Sequence, residues 1–123
     1  MCKRKVLIAD DHGYILESLA EILCDYFECV VVSKLEDVLR LVREQYFDVC
    51  ILDLVYEGEG ILDVYGLIER HRDLKVIIIS GYTSQLDMQL LDKARVIVLP
   101  KPFSIQELTD SLARFGIEKR KLN

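Results

Sequence analysis

Short apolar runs rich in Val and Ile recur along the chain, separated by longer stretches of helical period. The runs are Val6–Ala9, Cys29–Val32, Val49–Leu52, Val76–Ile79 and Val96–Leu99. Each is apolar at successive positions, the pattern of strands buried on both faces of a parallel sheet, and Val76–Ile79 is predicted to be central. Between them, apolar residues fall on single helical faces: Ile15, Leu19, Ile22 and Leu23; then Leu35, Val38 and Val42; then a helix from about Ile61 to Arg72. A fourth helix buries Leu86, Leu90, Leu91 and Ala94, and a fifth Ile105, Leu108, Leu112 and Phe115. Ser33 with Glu36 and Ser104 with Glu107 have capping-box spacing, Ser84 with Asp87 offers a cap for the fourth helix, and Gly116 closes the last.

Five strands alternating with five helices predict an α/β fold built on a doubly wound, five-stranded parallel sheet. Right-handed crossovers give it helices on both faces and the strand order 2-1-3-4-5. The ends of strands one and three then flank the topological switch point, the crevice where ligands bind in open α/β sheets. The loop Leu54–Gly60, with Glu57-Gly58-Glu59-Gly60, breaks any regular pattern beside that crevice.

At 123 residues and 51% hydrophobic content the chain reads as one domain, residues 1–123. Its net charge of -5 and pI near 5.0 argue against nucleic-acid binding, which needs a basic face. The basic clusters Lys3-Arg4-Lys5 and Lys119-Arg120-Lys121 read as solvated tails. With no run approaching the roughly 18 apolar residues of a membrane span and no signal-peptide pattern, a cytoplasmic protein without membrane contact is expected. Cys2, Cys24, Cys29 and Cys50 match no CxxC motif and are expected to be reduced, buried thiols.

The polar residues that close the strands carry the chemistry. Asp10 and Asp11 follow the first run, Asp53 the third, Ser80 the fourth, and Lys101 comes shortly after the fifth. Three carboxylates in one crevice repel one another unless a cation intervenes. An oxygen-only donor set suits Mg²⁺, or Mn²⁺ in its place, better than zinc. The formal charges of three carboxylates, one ammonium and one divalent cation cancel, so the site can accept a phosphoryl dianion. An ionised carboxylate is a nucleophile toward phosphorus, and Asp53, on a central strand, is the best placed of the three. Ser80 offers a hydroxyl donor, Gly81 leaves space beside it, and Lys101 supplies a point charge.

Over essentially its whole length the chain resembles the receiver domains of two-component response regulators. The resemblance lies in Val6-Leu7-Ile8-Ala9-Asp10-Asp11, Ile51-Leu52-Asp53-Leu54, Ile78-Ile79-Ser80-Gly81 and Lys101-Pro102-Phe103. It implies a flavodoxin-like three-layer sandwich and a role in phosphorelay signalling. Asp53 would be the phosphoacceptor, charged by a sensor histidine kinase or phosphotransfer protein. Asp11 would bind Mg²⁺ directly, Asp10 through water, and Val55 through its backbone carbonyl. Ser80 and Lys101 would contact the phosphoryl group, with the Lys101–Pro102 bond cis. Such a domain acts on its own carboxylate and is not an enzyme toward other substrates. Its output face, carried over from the family, is the fourth helix, fifth strand and fifth helix, and a homodimer through that face is left open. Val55 and Tyr82 would flank the path of attacking water, so slow self-dephosphorylation is expected.

The chain departs from the family pattern where receivers carry Pro and Gly, four and eight residues after the phosphoacceptor; Glu57 and Ile61 stand there. Val98 replaces an aromatic residue that commonly couples site and output face, leaving Tyr82 or Phe103 as substitutes. Asp10-Asp11-His12 begins like a DxHxxG cobalamin motif but fails at Ile15, and His71 reads as a surface residue near a helix end. There is no GxxxxGK[ST] or GxGxxG loop, and Asp53-Leu54-Val55 is not the DxD of aspartyl-phosphate phosphatases. The competing reading is a receiver-fold interaction module that works without phosphorylation.

Overall fold

Along β3, successive residues are buried on opposite sides: Val49 and Ile51 join one apolar cluster, Cys50 and Leu52 another. Both faces of this strand are covered, and its side-chain period of two feeds two cores at once. The computed structural model describes residues 4–9, 21, 23, 27–54, 61–80, 95–100 and 104–116. Its strands are β1 (Lys5–Ala9), β2 (Glu28–Val32), β3 (Val49–Leu54), β4 (Val76–Ser80) and β5 (Val96–Pro100). They form one sheet of order β2-β1-β3-β4-β5, and all four pairings are parallel. This is the predicted doubly wound order.

Three helices are described: α1 (Leu35–Glu44), α2 (Ile61–Arg70) and α3 (Ile105–Arg114). They correspond to the second, third and fifth predicted helices. Of the predicted first helix, Glu21 and Leu23 are helical and Leu23 is buried. Ile15, Leu19 and Ile22 lie outside the described residues, as does the predicted fourth helix with Ser84, Asp87 and its apolar stripe. Leu108, Leu112 and Phe115 of α3 and its C-cap pack with Leu23 and Phe27 on the sheet face formed by Val6, Ile8, Ile51 and Ile79. Val38 and Leu41 of α1 and Val64, Leu67 and Ile68 of α2 cover the other face, over Leu7, Leu52 and Ile78. Two cores of this kind hold the strand ends at fixed heights.

Several boundaries differ from those predicted. α1 is capped by Lys34, in extended conformation and with no side-chain cap, so Ser33 sits one residue too early for a capping box with Glu36. The predicted stripe Leu35, Val38 and Val42 does face the core, Val38 buried in it and the other two packed against it, and Leu41 is buried beside them. α2 ends at Arg70 rather than Arg72. There the Arg95 guanidinium donates to the carbonyls of Ile68 (3.1 Å) and His71 (2.9 Å), and the Leu74 amide turns back to the His71 carbonyl. His71 therefore follows the helix instead of belonging to it. Ile105, assigned to the inward stripe of α3, is 38% exposed. As the first helical residue, its side chain leans toward the helix start, beyond the covered turns.

The capping box at the start of α3 forms as predicted. Ser104 Oγ accepts from the Glu107 amide at 3.1 Å and the Glu107 carboxylate accepts from the Ser104 amide at 3.4 Å. Gly116, with φ +80°, closes the helix in the left-handed region open to glycine. Ser104→Ala is expected to lower stability by about 1 kcal/mol, read as a fall in urea midpoint at unchanged m-value. An unchanged midpoint would show that the box adds nothing.

Cys50 is a free, fully buried thiol in β3, as expected, whereas Cys29 in β2 is half-buried rather than buried, its thiol donating to the Phe27 carbonyl; Cys2 and Cys24 lie outside the described residues. Burial pushes the Cys50 thiol up from 9.0 to about 12. The unfolded chain thus loses this proton first as pH rises, and the stability contributed by the neutral buried thiol is complete below pH 9.0 and eroded between 9.0 and about 12. The alkaline fall in stability should be shallower in Cys50→Ala, measured by urea denaturation at several pH values. Identical slopes would show that Cys50 does not titrate differently in the two states.

Candidate functional site

A parallel sheet whose winding reverses between β1 and β3 leaves a crevice beyond their carboxyl ends. The pairing register fixes what stands there. Ala9, the last residue of β1, is opposite Leu52; Asp53 is opposite Ile79; Leu54 is opposite Ser80; and Ser80 is opposite Pro100. Asp10 and Asp11 directly follow Ala9, and Lys101 directly follows Pro100. The four strands that hold or lead to the predicted residues are adjacent, spanning roughly 14 Å across the sheet at the usual strand spacing.

Asp53 and Ser80 lie inside the strands rather than after them, because β3 extends to Leu54 and β4 to Ser80. Leu54, predicted to open the loop, is the last strand residue. Asp53 and Ser80 occupy neighbouring strands one register step apart. Asp10, Asp11, His12, Val55, Glu57, Gly81, Tyr82, Lys101, Pro102 and Phe103 lie outside the described residues, as do the side chains of Asp53 and Ser80. Val98 is in β5, partly buried against the α1–α2 core, opposite Ile78.

The response regulator receiver domain family matches this chain over residues 6–113. The chain belongs to that family. Among curated relatives, this receiver domain is 26% identical over 108 residues to the DNA-binding response regulator MtrA of Mycobacterium tuberculosis, covering 86% of the chain and 47% of that protein. It is 32% identical over 80 residues to the response regulator GacA of Pseudomonas aeruginosa, covering 62% of the chain and 37% of that protein. The chain thus spans about half the length of MtrA and less of GacA. Among solved structures it resembles TrrA of Thermotoga maritima, determined in complex with Mg²⁺-BeF. That likeness has a TM-score of 0.75 at 26% identity, over 91% of this chain and 98% of that one. A response regulator receiver domain protein of Clostridium thermocellum shares the fold, with a TM-score of 0.76 at 23% identity over 91% of this chain and 93% of the other. No described helix of this receiver domain is long and apolar enough to cross a membrane.

One feature at the opposite end of the sheet escaped the sequence reading. A cavity there is lined in part by Tyr46, Phe47, Arg70, His71, Arg72 and Leu74. The run Glu69-Arg70-His71-Arg72-Asp73 is visible in the sequence, but nothing in it shows that Tyr46 stands beside it.

Proposed function

We propose that residues 1–123 form one receiver domain that takes a phosphoryl group from a phosphohistidine donor onto Asp53 and thereby regulates a partner. The observation that carries this reading is the register: an aspartate, a serine, and the chain leading to two aspartates and a lysine share one end of adjacent strands. The donor would be a sensor histidine kinase or a phosphotransfer protein. The partner would meet the surface around the predicted fourth helix, β5 and α3, and self-association through that surface belongs to the same proposal.

The donor set fits a hard divalent cation. Asp10 and Asp11 succeed the strand partner of Leu52, the residue before Asp53, so oxygen ligands come from the adjacent ends of β1 and β3. Asp10, Asp11, Asp53 and the Val55 carbonyl would hold Mg²⁺, or Mn²⁺ in its place. When bound, the cation neutralises charge on the phosphoryl oxygens. An Asp53 carboxylate oxygen attacks phosphorus, and its O–P bond forms as the P–N bond to the donor imidazole breaks, the imidazole keeping the electron pair and taking up a proton. The Lys101 ammonium and the Ser80 hydroxyl donate to the transferred oxygens, and holding both there biases the domain toward one of two conformations.

A second reading, an interaction module that is never phosphorylated, is favoured by Glu57 and by Ile61, which begins α2 where receivers usually carry glycine. Acetyl phosphate with Mg²⁺, followed by intact mass, separates the two. A switch gains one phosphoryl group; a module gains none under saturating donor.

A further inference from the structure

We propose that the end of the sheet opposite Asp53 carries a second site, which binds an acidic peptide segment of a partner protein by enclosing one apolar side chain between arginines. Two connections meet there, from α1 to β3 and from α2 to β4, brought side by side because Cys50 near the start of β3 pairs with Val76 at the start of β4. They enclose a cavity of about 290 Å³. That is at the small end for ligand pockets, room for one side chain rather than a cofactor. Its floor is apolar, with Phe47 and Leu74 buried. Its rim carries Arg70, Arg72 and Tyr46, the last 69% exposed.

Several cationic side chains elsewhere on the surface are engaged. Arg4 pairs with Asp48, Arg40 with Asp37, and Lys75 donates to the Phe115 carbonyl. No hydrogen bond or ion pair among the described residues engages the guanidinium of Arg70 or Arg72. A place in the last turn of α2 favours Arg70 through the helix dipole, but Arg72 lies beyond the helix and gains little from it. The helix-end carbonyls of Ile68 and His71, which would repel an anion, are occupied by the Arg95 guanidinium. Asp73 offsets one of the two positive charges, leaving a basic rim on a chain of net charge -5. Arginine forks take carboxylates bidentately, and arginine and tyrosine around an apolar pocket are the composition of interface hot spots. A basic segment would meet like charge here; an acidic one finds complementary charge around a mixed socket with Phe47 and Leu74 at its base.

The test is an ¹⁵N NMR titration of the full chain with an acetylated, amidated Asp-Glu-Phe-Glu-Asp peptide. Amide shifts are expected at residues 45–47 and 70–74, with affinity at least about tenfold lower in the double variant Arg70→Ala/Arg72→Ala. Affinity should also fall when serine replaces the peptide's phenylalanine, and stay unchanged in Asp53→Asn, which separates this site from the phosphoryl reading. Arg72→Glu alone serves if the double variant misfolds. Absent shifts at millimolar peptide, equal binding by the arginine variants, or equal binding of a Lys-Lys-Phe-Lys-Lys peptide would overturn the proposal.

Discussion

Asp53→Asn is expected to take up no phosphoryl group from acetyl phosphate and Mg²⁺ under conditions where the native chain gains one. The carboxamide is neutral and its oxygen a far weaker nucleophile than a carboxylate, so the step that forms the O–P bond has no group to perform it. The same substitution removes one of three carboxylates and with it part of the attraction for a divalent cation. Cation binding therefore gives an independent readout. Mg²⁺ at one hundred times its dissociation constant should stabilise the native chain by about 2.7 kcal/mol, and the variant should show little of that gain at the same concentration. The change is near-isosteric, at a strand position opposite Ile79, so the variant should fold. Phosphoryl uptake by Asp53→Asn at the native level would move the acceptor elsewhere.

The second large effect is structural. Ile78→Ala should cost about 3 kcal/mol, within the usual range for truncating a fully buried isoleucine, out of a total of roughly 5–15 kcal/mol for a domain of this size. Ile78 has no exposed surface and lies between Leu52 of β3 and Val98 of β5, in the core shared with α1 and α2. The hole left in an interior strand cannot collapse without moving both neighbours. With an m-value of about 2 kcal/mol/M, the urea midpoint should fall by roughly 1.5 M. Ile105→Ala on the exposed edge of α3 should stay within about 0.5 kcal/mol of the native chain. Equal shifts for the two variants would contradict the burial difference on which the expectation rests.

Strand positions were legible in the sequence because β1, β3 and β4 are covered on both faces, so their apolar runs continue without alternation. Helix existence was legible for the same reason of period, and the start of α3 could be read to the residue because Ser104 and Glu107 satisfy each other's amides locally. Ser33 and Glu36 have the same spacing and do not form that motif. Where α1 begins depends on where β2 releases the chain, and Lys34 is still extended there. Likewise the end of α2 is set by Arg95, a residue distant in sequence that takes its last carbonyls.

Sequence alone determined the alternation of strands and helices, the types of residue that close each strand, and through them membership of the receiver family. Only the tertiary structure decided register: that Asp53 stands one step from Ser80, that Ser80 pairs with Pro100, the residue before Lys101, and that Tyr46 shares a cavity with Arg70 and Arg72. The physical reason is that periodicity reports which face of an element is buried, whereas register and end-to-end neighbours come from hydrogen bonds between strands far apart in the chain, which no local pattern encodes.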